Sequence, residues 1–296
     1  MKRRAIISLA AGLAVAALSG GLASAQTIVV GGKGFTEQQI ISEMTAQLLK
    51  AKGFTVDKRA GLGTAPLRQA QEAGQVDVYW EYTGTSLITF NKVTDKLDAA
   101  ATYAKVKELD AAKGLVWLNP SKANNTYALA MRKADVEKTG IRSMSDLAGK
   151  IKSGTTLKLA SNAEWYARPD GLKPLEQTYG FEFGRENVVR MDTGLVYQAL
   201  RDSQVDVGLV FATDGRVPAF NFVILRDDKG YFPTYAMTPV IRKETLDKNP
   251  KLADILNGLS AKLDDAVMAK LNASVDVEKK SVEEVAAGFL KSEALV

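Results

Sequence analysis

A short motif that ends on an aromatic ring occurs twice in this chain. Residues 75–78 and 204–207 both read Gln-Val-Asp-Val after a helix-like run, and Tyr82 and Phe211 each lie five positions past the aspartate. Two similar units that each place a ring at the end of a strand predict two facing lobes with a ligand between them. The alternative is a chance match, because Val-Asp-Val is a common way to enter a strand and short self-similarity arises easily.

The sequence contains neither His nor Cys. This absence excludes His-based triads, His acid–base catalysis, thiol catalysis, disulfides and most transition-metal sites. The chain also lacks a Gly-x-Ser-x-Gly elbow, a phosphate-binding Gly-rich loop and a calcium loop. Paired carboxylates of the kind used in glycoside hydrolysis stay open among the 34 acidic residues. We therefore predict a protein that is not an enzyme and holds no metal or cofactor.

The first 25 residues have the pattern of an export signal. Lys2, Arg3 and Arg4 form a basic start, an apolar run rich in small residues follows, and residues 23–25 give the small-x-small cleavage pattern. The run is long enough to span a bilayer, but its Ala and Gly content and the cleavage pattern favour removal. We predict a signal peptide over residues 1–25, cleavage after Ala25 and an exported mature protein.

Much of the positive charge of the chain comes from this signal. Its removal lowers the formal net charge from +5 to +2, which is too weak and too dispersed to indicate nucleic-acid binding. The remaining length suffices for one large or two moderate domains with ample core. We expect no nucleic-acid partner, and we expect a monomer.

Strand-like and helix-like segments alternate along the mature chain. Residues 27–32 read as a buried strand, and residues 38–52 as a helix with Thr36 as its N-cap. The C-terminal third is mostly helical, over residues 249–271 and 281–290. This alternation, without a low-complexity linker, predicts an α/β architecture.

Three motifs together make the chain similar to a known family. Residues 31–38 read Gly-Gly-Lys-Gly-Phe-Thr-Glu-Gln, residues 81–85 read Glu-Tyr-Thr-Gly-Thr, and residues 211–216 read Phe-Ala-Thr-Asp-Gly-Arg. The chain resembles the quaternary-ammonium-binding proteins of ABC importers, the glycine betaine, choline and carnitine group that includes ProX and OpuBC-like proteins, and within it the OsmF/YehZ-type branch. The resemblance covers residues 27–296.

The resemblance implies a two-lobed class II periplasmic binding protein fold with two crossover strands. Lobe one would comprise residues 27–127 plus 234–296, and lobe two residues 128–233. It also implies a small-molecule quaternary ammonium ligand and an ABC permease in the inner membrane as partners.

The resemblance further implies an aromatic cage for the ligand. A quaternary ammonium has no N–H to donate, so proteins surround it with ring faces, at about 0.5–2 kcal/mol per ring. The cage residues would be Tyr82, Tyr127, Phe211 and Tyr235, with Phe211 departing from the Tyr that is usual in the family. The plainer alternatives are that Tyr127 and Phe211 are strand core and that Tyr235 packs a Pro-containing turn.

Four polar residues complete the site that the resemblance implies. Lys33 and Arg168 would bind the carboxylate of a betaine, Thr85 would offer its hydroxyl, and Asn125 its backbone carbonyl. With a Thr rather than an acid at position 85, both cations are expected to be unopposed, which favours a zwitterion over choline. The alternative for Lys33 and Arg168 is an ordinary solvated surface position.

The sequence therefore predicts a receptor that captures a compatible solute such as glycine betaine between its lobes and delivers it to the permease. The main alternative is an importer receptor for an amino acid or a polyamine. That ligand would need an acidic partner for its ammonium, for which Asp214 or Glu81 are candidates.

Overall fold

The computed structural model describes residues 27–296. The predicted signal peptide, its cleavage site and Gln26 lie outside these residues. Within the described range, no helix is both long enough and apolar enough to cross a membrane.

Strands and helices alternate over residues 27–296 as the sequence predicts. The strands are β1 (Ile28–Lys33), β2 (Val56–Leu62), β3 (Val78–Tyr82), β4 (Leu115–Trp117), β5 (Tyr127–Arg132), β6 (Leu159–Ser161), β7 (Val188–Arg190), β8 (Val207–Phe211), β9 (Phe222–Ile224) and β10 (Met237–Arg242). The helices are α1 (Thr36–Ala51), α2 (Thr64–Glu72), α3 (Ala99–Ala111), α4 (Lys133–Thr139), α5 (Met144–Lys152), α6 (Ala163–Ala167), α7 (Leu172–Tyr179), α8 (Thr193–Arg201), α9 (Arg216–Ala219), α10 (Lys243–Lys248), α11 (Lys251–Ser260), α12 (Asp265–Asp276) and α13 (Val282–Ser292). A π-helical turn (Thr85–Phe90) and a 3₁₀ turn (Arg185–Asn187) supplement them.

The strands form two sheets with the same plan. The first has the order β2-β1-β3-β10-β4 and the second the order β7-β6-β8-β5-β9. In each sheet the first three strands are parallel, and the fourth runs antiparallel to both of its neighbours. The predicted two-lobed α/β fold is confirmed. We refer to the units built on the first and second sheets as lobe one and lobe two. The residue boundaries given above for the lobes stay a prediction.

The repeated motif supplies the central strand of each sheet. β3 follows α2, and β8 follows α8. The Asp77 Oδ2 accepts a hydrogen bond from the Val29 backbone N–H at 2.8 Å, and the Asp206 Oδ2 accepts one from the Lys158 N–H at 2.8 Å. Each aspartate thus satisfies a backbone donor where the neighbouring parallel strand begins. The shared aspartate is structural, and it places Tyr82 and Phe211 at equivalent strand ends.

Two segments cross between the sheets side by side. Asn124 and Ala236 form an antiparallel bridge, and the Asn125 N–H donates to the Tyr235 carbonyl oxygen at 3.2 Å. The Tyr235 N–H donates in turn to the Asn124 Oδ1 at 2.8 Å. This pairing holds Tyr127 and Tyr235, which lie next to the crossing, close to both lobes.

The start of α1 differs from the sequence prediction. The helix begins at Thr36, so Thr36 is its first residue and Phe35 is the N-cap, without a side-chain capping bond. The Thr36 hydroxyl instead donates to the Asp276 Oδ1 of α12 at 2.9 Å. A long-range partner has displaced the local capping role that the sequence suggests.

The two lobes are in close contact where α9 meets α12. A Cβ atom added at Gly215 would lie 2.5 Å from the Ala273 Cβ and 2.5 Å from the Ala269 carbonyl oxygen. Only a glycine allows the start of α9 to approach the α12 backbone this closely. The segment that follows β8 is therefore fixed against lobe one.

Candidate functional site

A cavity of about 480 Å³ lies where the carboxyl ends of β1, β3 and β8 meet the crossing segments. The residues that the sequence predicts as ligand-binding all line this cavity: Lys33, Tyr82, Thr85, Asn125, Tyr127, Arg168, Phe211 and Tyr235. Thr85 reaches it from the first turn of the π-helical segment after β3. The structure thus brings the predicted residues together, while their contact with a ligand stays a prediction.

Five aromatic rings follow one another along the cavity wall. The Tyr82 and Phe35 ring centroids are 6.2 Å apart, and the Phe35 and Phe211 rings stack at 5.2 Å with an angle of 15°. Phe211 lies 5.2 Å from Tyr127, which meets Tyr235 edge-on at 5.4 Å. The sequence reasoning missed Phe35, although it belongs to the same motif as Lys33. Its position beside the Gly-flanked loop was the available signal.

The Tyr82 ring is held in place by hydrogen bonds at its hydroxyl. Its hydroxyl donates to the Glu37 Oε1 at 2.8 Å and accepts from the Gln38 Nε2 at 3.1 Å. Burial, and after it the Glu37 carboxylate, raise the pKa of the Tyr82 phenol well above its usual range. The phenol therefore stays protonated and donating, and the ring cannot turn away from the cavity without losing these bonds.

Tyr235 connects the crossing segment to lobe two. The Tyr235 hydroxyl donates to Asp170, whose carboxylate also accepts from the Nε and the Nη2 of Arg168, both at 2.7 Å. The Arg168 guanidinium lies 5.4 Å from the centroid of the Tyr127 ring. A Cβ at Gly84 would lie 2.9 Å from the Tyr235 ring, so this glycine makes room for it.

The expectation that Lys33 and Arg168 are unopposed is wrong. The Lys33 Nζ lies 2.5 Å from the Glu81 Oε1 in a buried pair, and Arg168 is paired with Asp170 through two bonds. Each acid is buried together with its base because a lone buried charge is costly. The argument that two free cations select a zwitterion over choline therefore fails. The alternative of a solvated surface position fails too, since both side chains are almost fully buried.

Other charged residues that line the cavity lie in lobe two. Glu164, Arg190 and Asp192 contribute to its wall, and the Glu164 Oε1 is 3.7 Å from the Arg168 Nη1. Glu81 and Asp214, the candidate acids for an amino-acid or polyamine ligand, are not among the residues that line this cavity within the described chain. Asp214 is instead paired with Arg216 at 2.6 Å.

The fold and the cavity define the class of protein. Two α/β lobes of the same plan, joined by paired crossing segments with a ligand-sized cavity between them, characterise substrate-binding proteins of importers. The family model described as the substrate binding domain of ABC-type glycine betaine transport systems matches residues 26–292. The chain belongs to this family, whose members are transport proteins rather than enzymes.

Two named relatives agree with this assignment. The chain is 47% identical over 282 residues to the glycine-betaine-binding protein of Pseudomonas aeruginosa, covering 93% of this chain and 91% of that protein. It is 36% identical over 286 residues to the glycine betaine-binding protein YehZ of Escherichia coli, covering 94% of each.

Solved structures resemble the fold over nearly its whole length. Apo YehZ from Escherichia coli superposes with a TM-score of 0.68 at 34% identity, covering 92% of this chain and all of that one. A glycine betaine/carnitine/choline ABC transporter structure superposes with a TM-score of 0.75 at 29% identity, covering 90% and 99%. The predicted family and fold are confirmed.

Proposed function

We propose that this protein is the receptor of an ABC importer and captures glycine betaine, or a related quaternary amine, in the cavity between its lobes. The row of five rings along the cavity wall is the observation that carries the proposal. A trimethylammonium group has an apolar surface of methyl groups and carries a positive charge. Aromatic ring faces pack against the methyl groups and attract the charge. The similarity to glycine-betaine-binding relatives supports the same ligand class.

The carboxylate of a betaine would bind at the polar end of the cavity. The Lys33 ammonium has three N–H donors, and its bond to Glu81 uses one of them. The Arg168 Nη1 carries donors beyond those that bind Asp170 through Nε and Nη2. Thr85 adds a hydroxyl. Because both cations are already neutralised by acids, this end offers hydrogen bonds more than net charge, and an alcohol such as choline can use them as well.

The proposed setting follows from the family. The mature protein, starting after Ala25, would act as a monomer in the periplasm and deliver its ligand to an inner-membrane permease. Lobe one, as residues 27–127 plus 234–296, and lobe two, as residues 128–233, would close on the ligand. The rings come from both sheets and from the crossing segments, so closure would complete the cage and stabilise the closed state.

An amino-acid or polyamine ligand is the second candidate. Glu164 and Asp192 line the cavity and could accept hydrogen bonds from a primary ammonium. A primary ammonium can donate hydrogen bonds to such acceptors, whereas a quaternary ammonium has no N–H to donate.

Calorimetric titration of the mature protein with glycine betaine, choline and carnitine tests the proposal, with lysine as the control. We expect saturable 1:1 binding of at least one quaternary amine and none of lysine. Binding of lysine without a response to the three quaternary amines would reject the ligand class and select the second candidate.

A further inference from the structure

Glu37 is a buried acid that contacts one ring of the aromatic wall through a hydrogen bond. It lies in the first turn of α1 and is 2% exposed. Its Oε1 accepts from the Tyr82 hydroxyl at 2.8 Å and from the Asn125 Nδ2 at 2.7 Å. Its Oε2 accepts from the Thr213 hydroxyl at 2.5 Å and from the Asn272 Nδ2 at 3.4 Å. All four donors are neutral side chains.

These four donors come from four parts of the molecule. Tyr82 ends β3 of lobe one, Asn125 belongs to a crossing segment, Thr213 follows β8 of lobe two, and Asn272 lies on α12. The Asn272 Nδ2 also donates to the Thr213 carbonyl oxygen at 2.9 Å. A single carboxylate therefore joins a cage ring, the crossing and the lobe-two strand end that carries Phe211.

The ionisation of the Glu37 carboxyl depends on its surroundings. Burial raises the pKa of its carboxyl, and the hydrogen bonds from Thr213 and Tyr82 oppose this rise. The carboxylate lies at the hydroxyl end of the Tyr82 ring, from which it accepts a hydrogen bond, so a cation on a face of that ring would be close to it. Such a cation would favour the ionised form of Glu37, and ionised Glu37 would attract it in return.

We propose that Glu37 is a positioning residue of the cage: its carboxylate fixes Tyr82 and Thr213 around the site and supplies a negative charge at the hydroxyl end of a ring that faces the ligand's ammonium. This inference rests on the proposed function, because it requires a cationic ligand. It goes further in assigning the cage an acid that does not contact the ligand.

Other charged and titratable groups surround Glu37 and belong to the same account. Tyr82 donates to it from β3, and Lys33 at the end of β1 lies 5.0 Å from the centroid of the Tyr82 ring, paired with Glu81. On the α12 and α9 side, Asp276 and Asp214 are both paired with Arg216. If ligand binding releases a proton, a substitution at Glu37 is therefore needed to show that the proton comes from this residue, because a pH profile alone does not identify the group.

The test compares Glu37→Gln with the wild type by calorimetry in two buffers of different ionisation enthalpy, at a series of pH values above the ordinary pKa of a glutamate, the direction in which burial shifts the pKa of this carboxyl. The wild type should release protons when glycine betaine or choline binds. Glu37→Gln keeps the shape and removes the charge, so we expect that release to disappear and the Kd to rise about tenfold. Choline, which has no carboxylate of its own, should lose more affinity than glycine betaine.

Glu43→Gln is the matched control, since Glu43 lies on the same helix but pairs with Lys58 away from the cavity. It should bind and release protons like the wild type. A Glu37→Gln protein with wild-type affinity would overturn the inference, as would one that binds weakly yet releases as many protons. If Glu37→Gln does not fold, Tyr82→Phe removes the phenol donor and keeps the ring, and wild-type affinity there would equally overturn it. A wild type that binds no quaternary amine would overturn the proposed function first.

Discussion

Arg168, a predicted binding residue, also has a structural role in the folded protein. The sequence indicated a guanidinium for a ligand carboxylate, but the structure uses two of its nitrogens to bind Asp170, which also accepts from Tyr235. One cation thus neutralises an acid, orders a cage ring and still lines the cavity. Losing it would affect stability as well as binding.

We therefore expect Arg168→Met to lower the free energy of unfolding by about 3–5 kcal/mol, because it leaves the Asp170 carboxylate buried without its cation. Urea denaturation of the mature protein measures this change. Arg59→Met is the control, since the Arg59–Asp57 pair is about half exposed and such pairs contribute about 0–1 kcal/mol. Equal effects of the two substitutions would show that the Arg168–Asp170 pair is not structural.

Four of the five rings of the site could be predicted from the sequence, through the repeat and the family resemblance, whereas Phe35 and the polar partners of the rings could not. Tyr82 and Phe211 could be predicted because a repeated motif marks two strand ends. Lys33 and Glu81 are 48 positions apart, and Thr213 and Glu37 are 176 apart. No local pattern indicates which acid and which base meet across the fold. Reasoning from residue types therefore left Lys33 unpaired and overlooked Glu37. The partner of Arg168 is local, since Asp170 lies two positions further on, and the sequence did not show that the two side chains are buried together.

Secondary structure elements were predicted best where a periodic pattern decides them. The repeat correctly indicated a helix followed by a strand, and these strands are the centres of the two sheets. The segment predicted as helical over residues 249–271 holds two helices, because α11 ends at Ser260 and α12 starts at Asp265, with Asp264 as its N-cap, and continues to Asp276. The Thr36 cap was wrong for another reason: its hydroxyl binds α12, a contact made only in the tertiary fold.

The contact between α9 and α12 predicts a position where a single methyl group is harmful. Gly215→Ala should lower the free energy of unfolding by about 1–3 kcal/mol through overpacking, since its Cβ would lie 2.5 Å from Ala273. Gly288→Ala on α13 meets nothing within 4 Å and should stabilise the protein by about 0.5–1 kcal/mol through helix propensity. Thermal or urea unfolding of both variants measures the difference. A Gly215→Ala protein as stable as the wild type would contradict the packing described for α9.

The whole molecule consists of two sheets of one plan joined by a paired crossing, with the ligand cavity between them. The sequence predicted this architecture through the repeat and the family resemblance. It did not indicate how closely the lobes touch at Gly215 and Glu37, since such contacts depend on the relative placement of distant segments.

Recognition of a cation by ring faces is best tested by exchanging the cationic nitrogen for carbon. The ligand 3,3-dimethylbutanoate has the shape and carboxylate of glycine betaine but no positive charge. Competition calorimetry on the mature protein gives the Kd of each. With two or more rings at about 0.5–2 kcal/mol each, we expect the carbon analogue to bind at least about fivefold more weakly than glycine betaine. Equal affinity for the two would show that the cavity selects shape alone and would contradict an aromatic cage for a quaternary ammonium.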